Sequence, residues 1–261
     1  MGSSRARFVL AALCLVAWPL PAFGGVLIVE KTTYGADAPQ THQVQIDKSW
    51  MRMEQSVGGE KQAFIFDGTK EVVWIVSLDR KTYSEMTKAD VDRMGVQMSD
   101  AMAKMQEQMK KLPPDQRAMV EQMMKSRGMG PAVTRKTTYR KVGTDKVGRW
   151  ACDKYEGYQD TQKIAELCTV DPSVLGFVPA DFEVSRKLAE FFKKLVPQNS
   201  DNLFAIGTPD EQGFSGVPIK RVFTVAGRPT TTEMTEVTRQ NFPPSTFEVP
   251  AGFTKKPFGE K

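Results

Sequence analysis

The sequence predicts an α+β domain: an antiparallel sheet built in two halves, with helices packed across its concave face. Three observations lead there. From Val26 to Met86, short runs of β-forming residues alternate with Gly, Pro and Asp-Gly turns. From Thr87 to Arg127 the spacing of apolar residues becomes helical, and from Thr134 onward the β pattern returns.

Residues 1–24 read as a secretory signal. Arg5 and Arg7 precede an apolar run from Phe8 to Trp18, then Pro19, Pro21 and the small-x-small end Ala22-Phe23-Gly24. Cleavage near Gly24 is expected to leave 25–261 as a single periplasmic domain. The apolar run is shorter than the ~20 residues of a spanning helix, and no other segment qualifies. Removing Arg5 and Arg7 takes the formal charge from +5 to +3 (5 − 2 = 3), which is not a nucleic-acid footprint.

Val26–Tyr34 and Thr41–Ile46 form a first hairpin about Gly35 to Pro39. Trp50-Met51-Arg52-Met53-Glu54 alternates strictly within a strand from Ser49 to Val57. Gln62–Phe66, Glu71–Val76 with Trp74, and Lys81–Met86 follow after tight turns. Strands so closely spaced can pair only as an antiparallel meander.

The central stretch carries ten of the fourteen methionines, between Met86 and Met129. Met94, Met98, Met102, Met105 and Met109 step by four, four, three and four, placing five thioethers on one helical face. Leu112-Pro113-Pro114 breaks the helix, and a second helix to Lys125 completes a Met-rich hairpin over 87–127. The stripe is expected to lie across the concave face. Three readings of it are open. It is core packing; or an adaptable floor for apolar ligands, since Met refills gaps through three torsions; or a soft-donor site for monovalent copper or silver.

In the second half, Ala151–Tyr158 and Gln162–Val170 form a hairpin turning near Asp160. A register in which residue numbers sum to 320 sets Cys152 opposite Cys168 and Lys154 opposite Glu166. Export and this proximity predict a disulfide, worth roughly 3 kcal/mol for so short a loop. Asp181 is expected to cap a helix with Val184, Leu188, Phe191, Phe192 and Leu195 on one face. Phe214–Val225 and Thr230–Arg239 pair about Gly227, and Phe247–Val249 is expected to add a last strand.

The run Lys48, Arg52, Glu54, Ile65-Phe66-Asp67-Gly68, Trp74, Lys81 and Tyr83 resembles the strand ladder of the LolA/LolB-like periplasmic lipoprotein carriers. Trp150-Ala151-Cys152-Asp153-Lys154-Tyr155, Leu167-Cys168 and Phe247-Glu248-Val249-Pro250-Ala251-Gly252-Phe253 are similar to an uncharacterised family of bacterial exported domains, a domain of unknown function. The resemblance implies an incomplete antiparallel β-barrel, a half-barrel, with helices in its mouth. It also implies binding of an apolar ligand and no catalysis.

His42 is the only histidine, which removes His-based triads and multi-His metal sites. No phosphate loop or dinucleotide fingerprint occurs. The expectation is a non-enzymatic protein without cofactor or resident metal that binds a lipid, acyl chain or lipoprotein. Trp50 and Trp74 are expected as rigid walls of its cavity, and Met94, Met98, Met102, Met105 and Met109 as its floor. The alternatives are a module docking an envelope protein, and Met-based copper or silver binding.

Overall fold

The structure, a computed structural model, describes residues 24–113, 115–117, 119, 137–195, 213–225 and 228–259. The expected signal, apart from Gly24, lies outside these residues, as does most of the second helix of the Met-rich hairpin.

Twelve strands form one open sheet. They are β1 (Gly25–Tyr34), β2 (Gln40–Asp47), β3 (Trp50–Val57), β4 (Glu60–Asp67), β5 (Val72–Ser77), β6 (Thr82–Thr87), β7 (Thr138–Val147), β8 (Trp150–Gln159), β9 (Gln162–Val170), β10 (Val217–Val225), β11 (Arg228–Gln240) and β12 (Thr254–Lys256). Their order is β12-β6-β5-β4-β3-β2-β1-β11-β10-β9-β8-β7. Two meanders thus meet where β1 pairs with β11, and only β12 against β6 is parallel.

The sheet curls around a short helix, α2 (Glu183–Phe192), whose Val184, Leu188 and Phe191 are fully buried. One continuous core cluster joins those residues to inward side chains from every strand from β1 to β11. Laid flat at about 4.8 Å per strand, eleven strands would span about 48 Å. A ten-residue helix is only about 15 Å long, so the sheet must curl to bury them all. Bulges at Val29/Glu30, Lys141/Gly143, Gly157/Tyr158 and Pro218/Lys220 supply bends from β1 through the half containing β7 to β11. The result is the incomplete antiparallel barrel expected from the sequence, with α2 as its plug.

Helix α1 (Lys88–Lys111) opens with a capping box. The Thr87 hydroxyl accepts from the Asp90 N–H at 3.3 Å, and the Asp90 carboxylate accepts from the Thr87 N–H at 2.9 Å. The Thr87 side chain holds the Asp90 carboxyl below its usual range.

The helix meets the core of the concave face through its first two turns. Val91 is its only fully buried residue, Met94 packs against the main core, and Gly95 passes the backbone of the segment after α2. A Cβ at Gly95 would sit 3.1 Å from the Lys194 Cβ. Asp92 reaches Lys194 at 2.9 Å, and this contact lowers the Asp92 carboxyl below its ordinary value. Met98 is 40% exposed, Met102, Met105 and Met109 are half-buried, and among the described residues Met94 is the stripe methionine that packs on the main core.

The disulfide Cys152–Cys168 is present, with 5.5 Å between Cα atoms. The register differs from the expected one by two. Lys154 stands opposite Cys168 and Glu156 opposite Glu166, so the cysteines are diagonal neighbours on one face. The turn pairs Gln159 with Gln162, one step from the expected register, and the bulge at Gly157/Tyr158 adds the second step; diagonal positions bring Lys154 to 3.6 Å from Glu166. The facing carboxylates of Glu156 and Glu166 share Lys163, at 2.6 and 2.7 Å.

Two smaller expectations are corrected. Asp181 accepts from the Val178 N–H at 2.7 Å and pairs with Arg239, so it closes the 3₁₀ turn Pro179–Phe182 before α2 and does not cap α2 itself. Phe247 ends a second 3₁₀ turn, Pro244–Phe247, and the last strand is Thr254–Lys256.

Candidate functional site

The strands β2 to β6 pair without a register shift, so their inward side chains form rungs crossing the sheet. The first rung runs Val26, Ile46, Met51, Phe66, Val73, Met86 in direct register. Each of its residues is no more than 7% exposed. The α2 plug covers it, with the Phe191 ring centroid 5.6 Å from that of Phe66.

Two residues further along each strand lies a second rung: Ile28, Val44, Met53, Phe64, Ile75, Ser84. Val44, Met53, Phe64 and Ile75 are apolar but only half-buried. The plug ends beside them, where Phe192 and Leu195 are half-buried too and the Phe192 ring lies 6.1 Å from Phe64. Another step along, the inward positions are Glu30, His42, Gln55, Gln62, Ser77 and Thr82, all polar. Beside them Glu30 pairs with Arg221 at 2.7 Å, and the hydroxyls of Thr32 and Thr232 meet at 3.0 Å.

The inner wall is therefore graded. It passes from sealed and apolar, through half-open and apolar, to polar at the mouth. Such a surface matches a ligand that offers a hydrocarbon flank to one side and water or hydrogen-bonding groups to the other.

Trp50 and Trp74 face away from this wall. Strand alternation turns Trp50 opposite to Met51 and Trp74 opposite to Val73. On the outer face the two indoles stack at 6.3 Å, and Trp50 meets Phe247 at 6.2 Å. The C-terminal segment covers them with Phe242, Phe247, Val249 and Phe253, and the Trp74 indole N–H donates to Glu85 at 3.1 Å. The two tryptophans and Met94 thus lie on opposite sides of the sheet and cannot line one cavity. Sequence reasoning did not single out Val44, Phe64 and Ile75, although the alternation that places them on the inner face is visible in the chain.

A separate open cleft of about 520 Å³ lies among Glu85, Thr87, Asp90, Arg93, Met94, Lys255, Phe258 and Gly259. It carries both signs of charge, with Met94 and Phe258 as apolar wall. Among the described residues, no three His, Cys, Asp or Glu side chains gather as metal ligands, and no helix is long and apolar enough to cross a membrane.

The family model described as "Domain of unknown function (DUF4412)" matches residues 87–253, more than half of the 261. The chain belongs to this family. The DUF4412 match begins at the cap of α1 and ends at Phe253, so it takes in the disulfide hairpin and the segment over Trp50, while β1 to β5 precede it. No curated protein matches the chain.

Among solved structures, the chain is similar to an uncharacterized conserved protein from Thermus thermophilus, at 9% identity and a TM-score of 0.45, covering 90% of this chain and 91% of that one. It is also similar to a LolA superfamily protein from Nitrosomonas europaea, at 8% identity and a TM-score of 0.29, covering 86% and 89%. A third is a putative outer membrane lipoprotein-sorting protein domain from Vibrio parahaemolyticus, at 6% identity and a TM-score of 0.28, covering 87% and 90%. Likenesses this distant carry no functional inference, and the half-barrel rests on its own strand order.

Proposed function

We propose that this DUF4412 protein is a non-catalytic periplasmic binding protein that holds an apolar chain, from a lipid or lipoprotein, against the second rung of its inner wall. The observation that carries this reading is the half-open band Val44, Met53, Phe64 and Ile75, set between a sealed rung and a polar one. A wall meant only as core would be covered as its neighbour is, because leaving four apolar side chains partly uncovered forgoes about 25 cal/mol per Å² left in water. The secretory pattern of residues 1–24 and the Cys152–Cys168 bond support an oxidising, exported setting.

The test is recovery of the protein from its own periplasm, followed by native mass spectrometry and lipid extraction, with a fluorescent fatty acid titrated in parallel. Bound amphiphile and saturable fluorescence are expected. Absence of both would end the proposal.

A second reading is favoured by one feature: among the described residues, Met98, Met102, Met105 and Met109 belong to no core cluster, while Val91 and Met94 of the same helix do pack on the core. An adaptable Met face suits the docking of an envelope protein. That reading predicts a stable complex on crosslinking in cells that Met98→Lys with Met105→Lys abolishes, with fatty-acid binding unchanged.

A further inference from the structure

The second rung has two unlike ends, and resting on the proposed chain-binding reading they give the ligand a direction, a length and a charge. At the β1 end the rung closes on Ile28, which is 4% exposed. At the β6 end the hydrocarbon stops at Ser84, and the next position across the sheet is Lys256 of β12. Because β12 runs parallel to β6 with Lys256 level with Ser84, the two side chains leave the same face of the sheet. The neighbouring Lys255 is engaged with Glu85 at 3.2 Å, whereas among the described residues Lys256 forms no ion pair.

We infer that the ligand is a single-chain fatty carboxylate lying across the strands, its anionic head at Ser84 and Lys256 and its methyl end toward Val44. From Val44 on β2 to Ser84 on β6 there are four strand spacings, about 19 Å at about 4.8 Å each. A saturated chain with bonds of about 1.5 Å at about 111° advances about 1.25 Å per carbon, so this span takes about fourteen to sixteen carbons. The Ser84 hydroxyl donates to one carboxylate oxygen and the Lys256 ammonium supplies the counter-charge. The Glu30–Arg221 pair satisfies itself at the mouth, which leaves the β6 edge as the place for an anion.

The experiment is fluorescent displacement at pH 8 with the full mature chain, using tetradecanoate, tetradecanol and octanoate as probes. Tetradecanoate should bind roughly three- to fivefold more tightly than tetradecanol, the usual worth of an exposed charge pair. Octanoate, with six fewer carbons on a half-buried track, should be weaker by about fiftyfold. Lys256→Gln should bring tetradecanoate down to the level of tetradecanol and leave the alcohol unchanged. Being exposed, that substitution does not threaten the fold. Equal binding of acid and alcohol, or indifference to Lys256→Gln, would overturn the direction assigned here while leaving the chain-binding reading intact. Failure of every long chain to bind would overturn the underlying reading as well.

Discussion

Phe64 and Phe66 sit two residues apart on one strand and one face, and they should respond differently to the same truncation. Phe66 is fully buried beneath Phe191, so Phe66→Ala should cost about 3 to 5 kcal/mol of folding stability through lost transfer energy and an unfilled cavity. Phe64 is half-buried at the edge of the core, with the Phe192 ring beside it. Full burial of a Phe side chain gives about 1.5 to 3 kcal/mol, so Phe64→Ala should cost about half that, near 1 kcal/mol. It should also remove one wall from a bound chain and weaken tetradecanoate by about fivefold, the equivalent of about 1 kcal/mol. Urea unfolding at constant m-value reads the first quantity and fluorescent displacement the second. If the two variants lost equal stability, or Phe64→Ala bound the chain as tightly as the parent, the distinction between a sealed and an open rung would be wrong.

Three other outcomes follow from the structure. Replacing Cys152 and Cys168 together by Ala opens a loop with a sequence separation of 16 and should lower stability by about 3 kcal/mol, read from the urea midpoint; an unchanged midpoint would refute a structural role. Hydrogen bonds from Lys163 hold the carboxyls of Glu156 and Glu166 below 4.5, so their contribution is complete above pH 4.5 and is lost as pH falls through the depressed values. Glu166→Gln should therefore flatten the acid limb of stability against pH, and a limb as steep as the parent's would contradict this pairing. Met98→Lys, at a position 40% exposed, should change stability by no more than about 0.5 kcal/mol; a loss of about 2 kcal/mol would show the stripe to be buried packing.

Much of the fold is legible in short patterns. The period-2 runs of β1 to β6, the helical spacing that opens at Thr87, and the pairing of the only two cysteines after residue 24 all appear in the structure. The register of β8 and β9 was not legible, because Cys152 and Cys168 fit a bridge either directly opposed or diagonally placed, and nothing in the sequence marks the bulge at Gly157/Tyr158. The site was legible only in part. Alternation already separates Trp50 from Met51, yet both faces of β3 to β5 are rich in apolar residues, so the pattern does not say which face is enclosed.

The strands of the first meander, the start of α1 and the cysteine partners follow from residues close in the chain, whose side-chain spacing sets the local backbone. Three matters depended on packing between distant segments: which face curls inward, how far α2 reaches along it, and that the Phe242–Phe253 segment covers the tryptophans. The physical reason is that a two-residue period has two equivalent faces. Only the volume of the plug, pressed against one of them, makes the first rung a core, leaves the second half-open and turns the tryptophans outward.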